Sequence, residues 1–305
     1  MPTVMPGAGT MQDECPRRSA TLREWGCMDR ASRDAAYNNT AAVAESATLH
    51  AARSAASEAM RARFPDLLDM PYGPAPRHRF DLFPAADPAA PCFVFIHGGY
   101  WQRNSKENFT CLGEGVRAHG WAAALPGYSL APQATLPQIV AEIRAALDWL
   151  GAEGPRHGIA GPIVVSGWSA GAHLAALALD RPGVVAGLGI SGVYELAPLR
   201  DTYLDDNLHL TDEDVRALSP LRLPPVGKPL AIAYGTTELP ALILNSRRMH
   251  GHRAAAHAPG PLVPVAGRNH FDILDELRGP DGVLTQQLLA LCPAPQAARR
   301  EQQVA

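Results

Sequence analysis

Residues 162–180 read PIVVSGWSAGAHLAALALD: an apolar run, a G-x-S-x-G turn and a helical pattern in direct succession. PIVVSG (162–167) is apolar without strict alternation, as expected of a strand buried on both faces. AGAHLAALALD (170–180) continues as a helix. Between them, Gly167 to Gly171 spell GWSAG. A serine on so sharp a strand-to-helix elbow sits in a strained backbone conformation. Glycines two residues either side remove the side chains that would clash there. The elbow lifts the Ser169 hydroxyl above the sheet and sets it at a helix N-terminus, where the dipole and free N–H groups favour developing negative charge. In a chain with 27 glycines the motif alone is weak; the strand before it and the helix after it supply the context it demands.

The same alternation extends outward from the elbow. CFVFIHG (92–98), VVAGLGISG (184–192) and PLAIAYG (229–235) read as further buried strands. WAAALPGYSLAP (121–132) holds a short strand and a turn, and GPLVPVAG (260–267) is the last strand, with Pro264 marking an edge position. LPQIVAEIRAALDWLGAEG (136–154) is a helix, with Ile139, Ile143, Ala146, Leu147 and Leu150 on one face. Apolar strands separated by helices imply an α/β fold with a mostly parallel central sheet covered on both faces. No internal repeat or long linker interrupts it. Residues 31–292 are expected to form a single domain, between a loose leader (1–30) and a flexible tail (293–305) rich in small and polar residues. Residues 194–225, lying between two strands, are expected to form short helices roofing the pocket.

Composition bounds the function. With 47% hydrophobic and 19% charged residues over 305 positions, a substantial core is expected. A net charge of -3 argues against nucleic acid or an anionic membrane as partner; Arg17-Arg18 and Arg299-Arg300 read as solvated charges. Cys15, Cys27, Cys92, Cys111 and Cys292 are odd in number, scattered and free of CxxC spacing, so neither a disulfide framework nor a zinc site is expected, and a reducing cytoplasm is the simplest home. The first residues lack the basic-then-apolar pattern of a signal peptide, and no long uninterrupted apolar run suggests a membrane span.

A serine hydroxyl needs a base, and the base an orienting carboxylate. Of the histidines after Ser169, His270 lies in AGRNHFDIL, just past the last strand, where a loop can carry it over the elbow. His173 is one helical turn after Ser169 and suits packing or capping; His250, His252 and His257 sit in a polar helical stretch, and His209 in the excursion after residue 193. Glu238 is the only carboxylate in TTELP, the loop after PLAIAYG, while Asp272 and Asp275 suit the first turn of a final helix. Tetrahedral oxyanions need backbone N–H donors, each worth about 3 kcal/mol of barrier. Ala170 supplies one, and the glycine-bearing turn HGGYW (97–101) supplies others, with Gly99 and Tyr100 the best placed. His97 is expected to brace that turn by hydrogen bonding rather than to act as base. Tyr100, Trp101, Trp168 and Phe271 adjoin these positions and are candidates for an aromatic wall around the substrate.

HGGYW, GWSAGAHLA, YGTTELP and RNHFD together resemble the arylformamidase (kynurenine formamidase) family of α/β-hydrolases. YNNT (37–40) and LSPL (218–221) are similar to that family too, and the likeness covers roughly residues 34–290. The resemblance implies an α/β-hydrolase fold with a small helical roof, a triad of Ser169, Glu238 and His270, and an oxyanion hole at HGGYW. It departs after the acid: Ala241 and Leu242 stand where the family often has Glu-Phe, and Leu244-Asn245 where it often has Arg-Gln. The implied reaction is hydrolysis of a small acyl-arylamine amide, without metal or organic cofactor. A carboxylesterase for small aryl or short-chain esters is the alternative, and a non-catalytic ligand-binding member of the fold is a third. Homo-oligomer formation is left open.

Overall fold

The computed structural model describes residues 25–292. The expected leader as far as residue 24, the tail from residue 293, Cys15 and both arginine pairs lie outside the described residues. Residues 25–30, read from sequence as leader, carry structure: the Trp25 ring packs edge-on against Tyr37 at 5.7 Å, and Asp29 caps helix α1 (Arg30–Tyr37) by accepting from the Ser32 N–H at 2.7 Å.

Eight strands form one sheet in the order β1-β2-β4-β3-β5-β6-β7-β8. They are β1 (Met70–Pro71), β2 (Arg79–Phe83), β3 (Cys92–Ile96), β4 (Ala122–Pro126), β5 (Ile163–Trp168), β6 (Val184–Ile190), β7 (Leu230–Gly235) and β8 (Leu262–Val265). From β4 to β8 all pairs are parallel; β1 and β2 add an antiparallel edge. Pro264 pairs with Tyr234 on β8, which is the opposite edge strand.

The absence of alternation in the central strands has a direct cause. On β3, Cys92, Val94 and Ile96 enter one apolar layer, while Phe93 and Phe95 enter the other. Each fully buried Phe stabilises the fold by roughly 1.5–3 kcal/mol. The first layer packs helices α3 (Leu136–Glu153) and α4 (Ala170–Leu177) on the sheet; the second packs α2 (Ser46–Arg63) and α6 (Val283–Leu291). Helix α5 (Pro240–Ala255) follows β7. In α3, Thr135 and Gln138 form a capping box at the start, and Ile139, Ile143, Ala146, Leu147 and Leu150 are the buried stripe. No helix among the described residues is long and apolar enough to cross a membrane.

Strand β2 escapes a reading by hydrophobic pattern because its sequence, RFDLF, carries a charge at its centre. Asp81 is completely buried, and Lys106 Nζ, itself buried, donates to it at 2.7 Å with Arg61 alongside. A buried charge survives there because it is paired.

Residues 194–225 contain the short helical turns Ala197–Asp201, Asp205–Leu208, Asp212–Leu218 and Pro220–Arg222. The loops after β3, β5, β6, β7 and β8 all leave the same end of the parallel sheet, where open α/β sheets place their ligands.

Candidate active site

Ser169 occupies the turn between β5 and α4 with φ 57° and ψ −119°, a left-handed region that ordinary side chains avoid at a cost of order 1–3 kcal/mol. The turn is held by the Ser169 N–H, which donates to the Ile190 carbonyl at 2.8 Å. The two glycines of the motif are required by contact. A Cβ at Gly167 would strike the Gly171 backbone, and one at Gly171 would strike the Ile96 and His97 carbonyls.

His270 follows β8. Its ring Nδ1 lies 2.9 Å from Glu238 Oε2, and both side chains are almost wholly buried. A carboxylate only accepts, so Nδ1 carries the hydrogen and Nε2 is left as the basic nitrogen. The other Glu238 oxygen, Oε1, accepts from the Ser191 hydroxyl at 2.6 Å and from the Gly235 N–H at 2.6 Å. Ser191 comes from the end of β6, between the strands that carry Ser169 and Glu238. The His270 backbone is fixed too: Trp168 Nε1 donates to its carbonyl at 2.8 Å, and the buried Arg53 of α2 donates to the Phe271 carbonyl at 2.6 Å. Asp272 and Asp275 open the short helical turn Asp272–Leu277 rather than the final helix, Val283–Leu291, and Asp272 accepts from the Asn269 N–H rather than from the imidazole.

The HGGYW turn lies beside the elbow because β3 and β5 are neighbours, with Ile96 opposite Gly167. Gly99 has φ 118°, and a Cβ there would strike the Arg103 carbonyl. Asn104 Nδ2 donates to the Gly98 carbonyl at 3.1 Å, and its Oδ1 lies 3.1 Å from His50 Nε2. Gln102 and Arg103 N–H groups both close back onto the Gly99 carbonyl at 3.0 Å. Among the described residues the Gly99 and Tyr100 N–H groups have no internal acceptor. The Ala170 N–H opens α4, where no helical carbonyl can reach it.

A cavity of about 220 Å³ collects these parts. Ser169, His270, Gly99, Tyr100, Trp168 and Phe271 all line it; Glu238 lies behind His270. Trp101 does not: it is completely buried and meets His173 edge-on at 4.9 Å, so the expected place of Trp101 in the substrate wall is corrected to the core beneath the turn. The reversal at Tyr100 and Trp101, with φ of 51° and 58°, sends the two rings different ways. The Tyr100 hydroxyl donates to the Tyr37 carbonyl at 2.8 Å and accepts from Asn39 Nδ2 at 3.0 Å, tying YNNT to HGGYW. Asn39 and Thr40 also line the cavity, and so do His50, Arg103, Asn104 and Tyr203. Sequence signals for Ser191, Asn104 and Arg53 are lacking: each acts through a distant partner, and none falls in a motif of its own. Of residues 194–225, Tyr203 is the lining residue. Ala241, Leu242, Leu244 and Asn245, where the family pattern changes, sit on α5 outside the lining.

His97 and His173 are not placed to act as bases. The His97 ring is stacked on Tyr128 at 4.2 Å, its Nδ1 lies 2.9 Å from the Gly98 carbonyl, and burial pulls its pKa down to about 4. His173 Nε2 donates to the Leu218 carbonyl at 2.7 Å, and burial pulls its pKa to about 4 as well.

The geometry has counterparts among known proteins. Residues 81–181 match the BD-FAE family model. Kynurenine formamidase of Danio rerio is 28% identical over 241 residues, spanning 74% of this chain and 81% of that protein. A solved chain from Silicibacter sp. TM1040 superposes with a TM-score of 0.76 at 28% identity, covering 83% of this chain and 97% of that one. The chain is a formamidase-like α/β-hydrolase. Isoprenylcysteine α-carbonyl methylesterase of Arabidopsis thaliana is also similar, 27% identical over 73% of this chain and 61% of that protein. The hydrolase therefore stands among enzymes of both amide and ester bonds and is a serine-type hydrolase of one or the other.

Proposed function

We propose that this hydrolase cleaves the amide of small N-acyl arylamines, N-formyl ones first, through Ser169, His270 and Glu238. The observation that carries the reading is the His270–Glu238 contact beside Ser169 on one cavity. His270 Nε2 takes the Ser169 proton as the hydroxyl attacks the acyl carbon, and Glu238 stabilises the imidazolium. The N–H groups of Gly99, Tyr100 and Ala170 receive the oxyanion. The imidazolium then protonates the leaving arylamine, and a water activated by the same ring releases the acid. Trp168 and Phe271 give the cavity an aromatic side. Its volume, about 220 Å³, is below the roughly 300–1,000 Å³ of drug-sized pockets and suits a single-ring substrate. The similarity to kynurenine formamidases supports an arylformamide.

The similarity to carboxylesterases supports a second reading, hydrolysis of small aryl or short-chain esters by the same residues. Comparing kcat/KM on N-formylkynurenine and N-formylanthranilate with that on p-nitrophenyl acetate separates the two. Turnover of the ester alone would overturn the amidase reading. Retained hydrolysis in Ser169→Ala would overturn the nucleophile. The free thiols of Cys27, Cys92, Cys111 and Cys292 support a reducing, cytoplasmic setting. Finding these cysteines oxidised in protein alkylated directly from cells would overturn that setting.

A further inference from the structure

The cavity has an uneven charge. Among the described residues that line it there is no Asp or Glu; the ionisable groups are Arg103, His50, His270, Tyr203 and Tyr100, the last with its hydroxyl engaged by Tyr37 and Asn39. His270 already has its carboxylate in Glu238. Among the described residues Arg103 has none: the carboxylates around Tyr203 are engaged elsewhere, Asp34 with Arg30 at 3.1 Å and with the Tyr203 N–H at 2.8 Å, Asp206 with Arg30 at 3.3 Å, and Asp201 with Arg33 at 3.8 Å. A lone guanidinium on a cavity wall, in a chain of net charge -3, is a place for an anion.

Its position is set by the oxyanion turn itself. The Arg103 N–H closes on the Gly99 carbonyl at 3.0 Å, and the Arg103 carbonyl packs where a Gly99 Cβ would stand. One tight turn thus presents the Gly99 and Tyr100 amides at its start and the guanidinium at its end. The Tyr203 hydroxyl stands beside Arg103: burial raises its pKa, with the guanidinium acting against that rise. It remains a neutral donor at physiological pH. A guanidinium fork and a phenolic O–H together match the two oxygens of a carboxylate.

On the reading of Ser169, His270 and Glu238 given above, we propose that Arg103, seconded by Tyr203, makes this site select acyl compounds that carry a carboxylate near the scissile bond. The N-acyl aminobenzoates are the simplest such class. The group selected is ionised at neutral pH, and its carboxylate replaces water on a guanidinium at the cavity wall.

Matched pairs test this. N-formylanthranilate and formanilide differ by one carboxylate; so do 2-acetoxybenzoate and phenyl acetate. The wild-type hydrolase should prefer the carboxylate member of each pair. In Arg103→Met that preference, as a ratio of kcat/KM values, should fall about 10- to 100-fold, the range for a lost charge-assisted hydrogen bond. Arg103→Lys should keep part of it. An unchanged ratio, or an equal fall for both members, would overturn the proposal. Should the esters be cleaved and the amides not, the formamidase reading fails while the ester pair still decides the role of Arg103. Calorimetric binding of anthranilate to Ser169→Ala, with and without Arg103→Met, needs no turnover. Equal affinity in the two proteins would also count against Arg103.

Discussion

Glu238 orients His270 with one carboxylate oxygen while Ser191 and the Gly235 N–H fix the other, at 2.6 Å each. The acid is therefore positioned from two sides by β6 and β7, and the imidazole inherits that position. Replacing Glu238 by Gln keeps the shape but offers the imidazole an amide of uncertain face and no charge. Hydrolysis should fall by about 10³- to 10⁴-fold in kcat, as when a triad acid is neutralised elsewhere. Ser191→Ala removes one of two donors to Oε1 and should lower kcat/KM by roughly tenfold, with Glu238 still present. Steady-state kinetics on p-nitrophenyl acetate or N-formylanthranilate read both. Full activity in Ser191→Ala would make the hydroxyl a bystander.

Tyr100 joins two distant parts of the chain. Its hydroxyl bridges the Tyr37 carbonyl and the Asn39 amide, so that Asn39 lines the cavity in one orientation, its own Oδ1 buried without a partner among the described residues. Tyr100→Phe retains the ring and leaves the Tyr37 carbonyl unpaired. A stability loss of about 1–3 kcal/mol follows from an unsatisfied buried acceptor. KM should rise with it, because Asn39 loses its anchor while the backbone N–H of residue 100 is unchanged. Urea unfolding and KM on the same preparation test the pair of effects; a change in neither would remove Tyr100 from both roles.

Arg53 makes a contrast between stability and activity. It is buried, its Nη2 holds the Phe271 carbonyl at 2.6 Å, and its Nε and Nη1 have no partner among the described residues. Burial also lowers its pKa, with Asp275 at 3.9 Å the opposing charge. Arg53→Met removes two unsatisfied buried donors along with one good hydrogen bond, so the unfolding free energy should change by no more than about 1 kcal/mol. The loop carrying His270 and Phe271 loses its tether, and kcat should fall several-fold. A large destabilisation with unchanged kcat would reverse this account.

The sequence is most legible where a local rule and a long-range one coincide. GWSAG needs its glycines because backbone fills the space around the elbow, and that requirement shows as a motif. Glu238 is legible by elimination, being the only carboxylate in its loop. Trp101 is the opposite case. Its neighbour Tyr100 reaches the cavity and Trp101 is completely buried, and only the backbone reversal between them decides which. Ser191 and Asn104 support the site through hydrogen bonds to residues 47 and 6 positions away, and nothing in their own neighbourhoods marks them. Strand β2 was hidden by Asp81, whose burial depends on Lys106, 25 residues on.

Two buried histidines outside the triad predict how stability depends on pH. His97 and His173 are held neutral, their pKa values lowered by burial to about 4 from 6.5. For a base with a depressed pKa, the unfolded chain binds more protons between the two values. Stability is therefore level above about pH 6.5 and declines as pH falls toward about 4, by up to about 1.4 kcal/mol per pH unit for each ring. Acid-side groups add to the same decline, so the assignment needs a variant. In His173→Gln the side-chain amide can still donate to the Leu218 carbonyl and cannot titrate. The difference in urea midpoint between about pH 7 and about pH 5 should be smaller in His173→Gln than in the wild type, whatever the variant does to stability at pH 7. An equal pH dependence in the two proteins would mean that His173 does not stay neutral in the folded state.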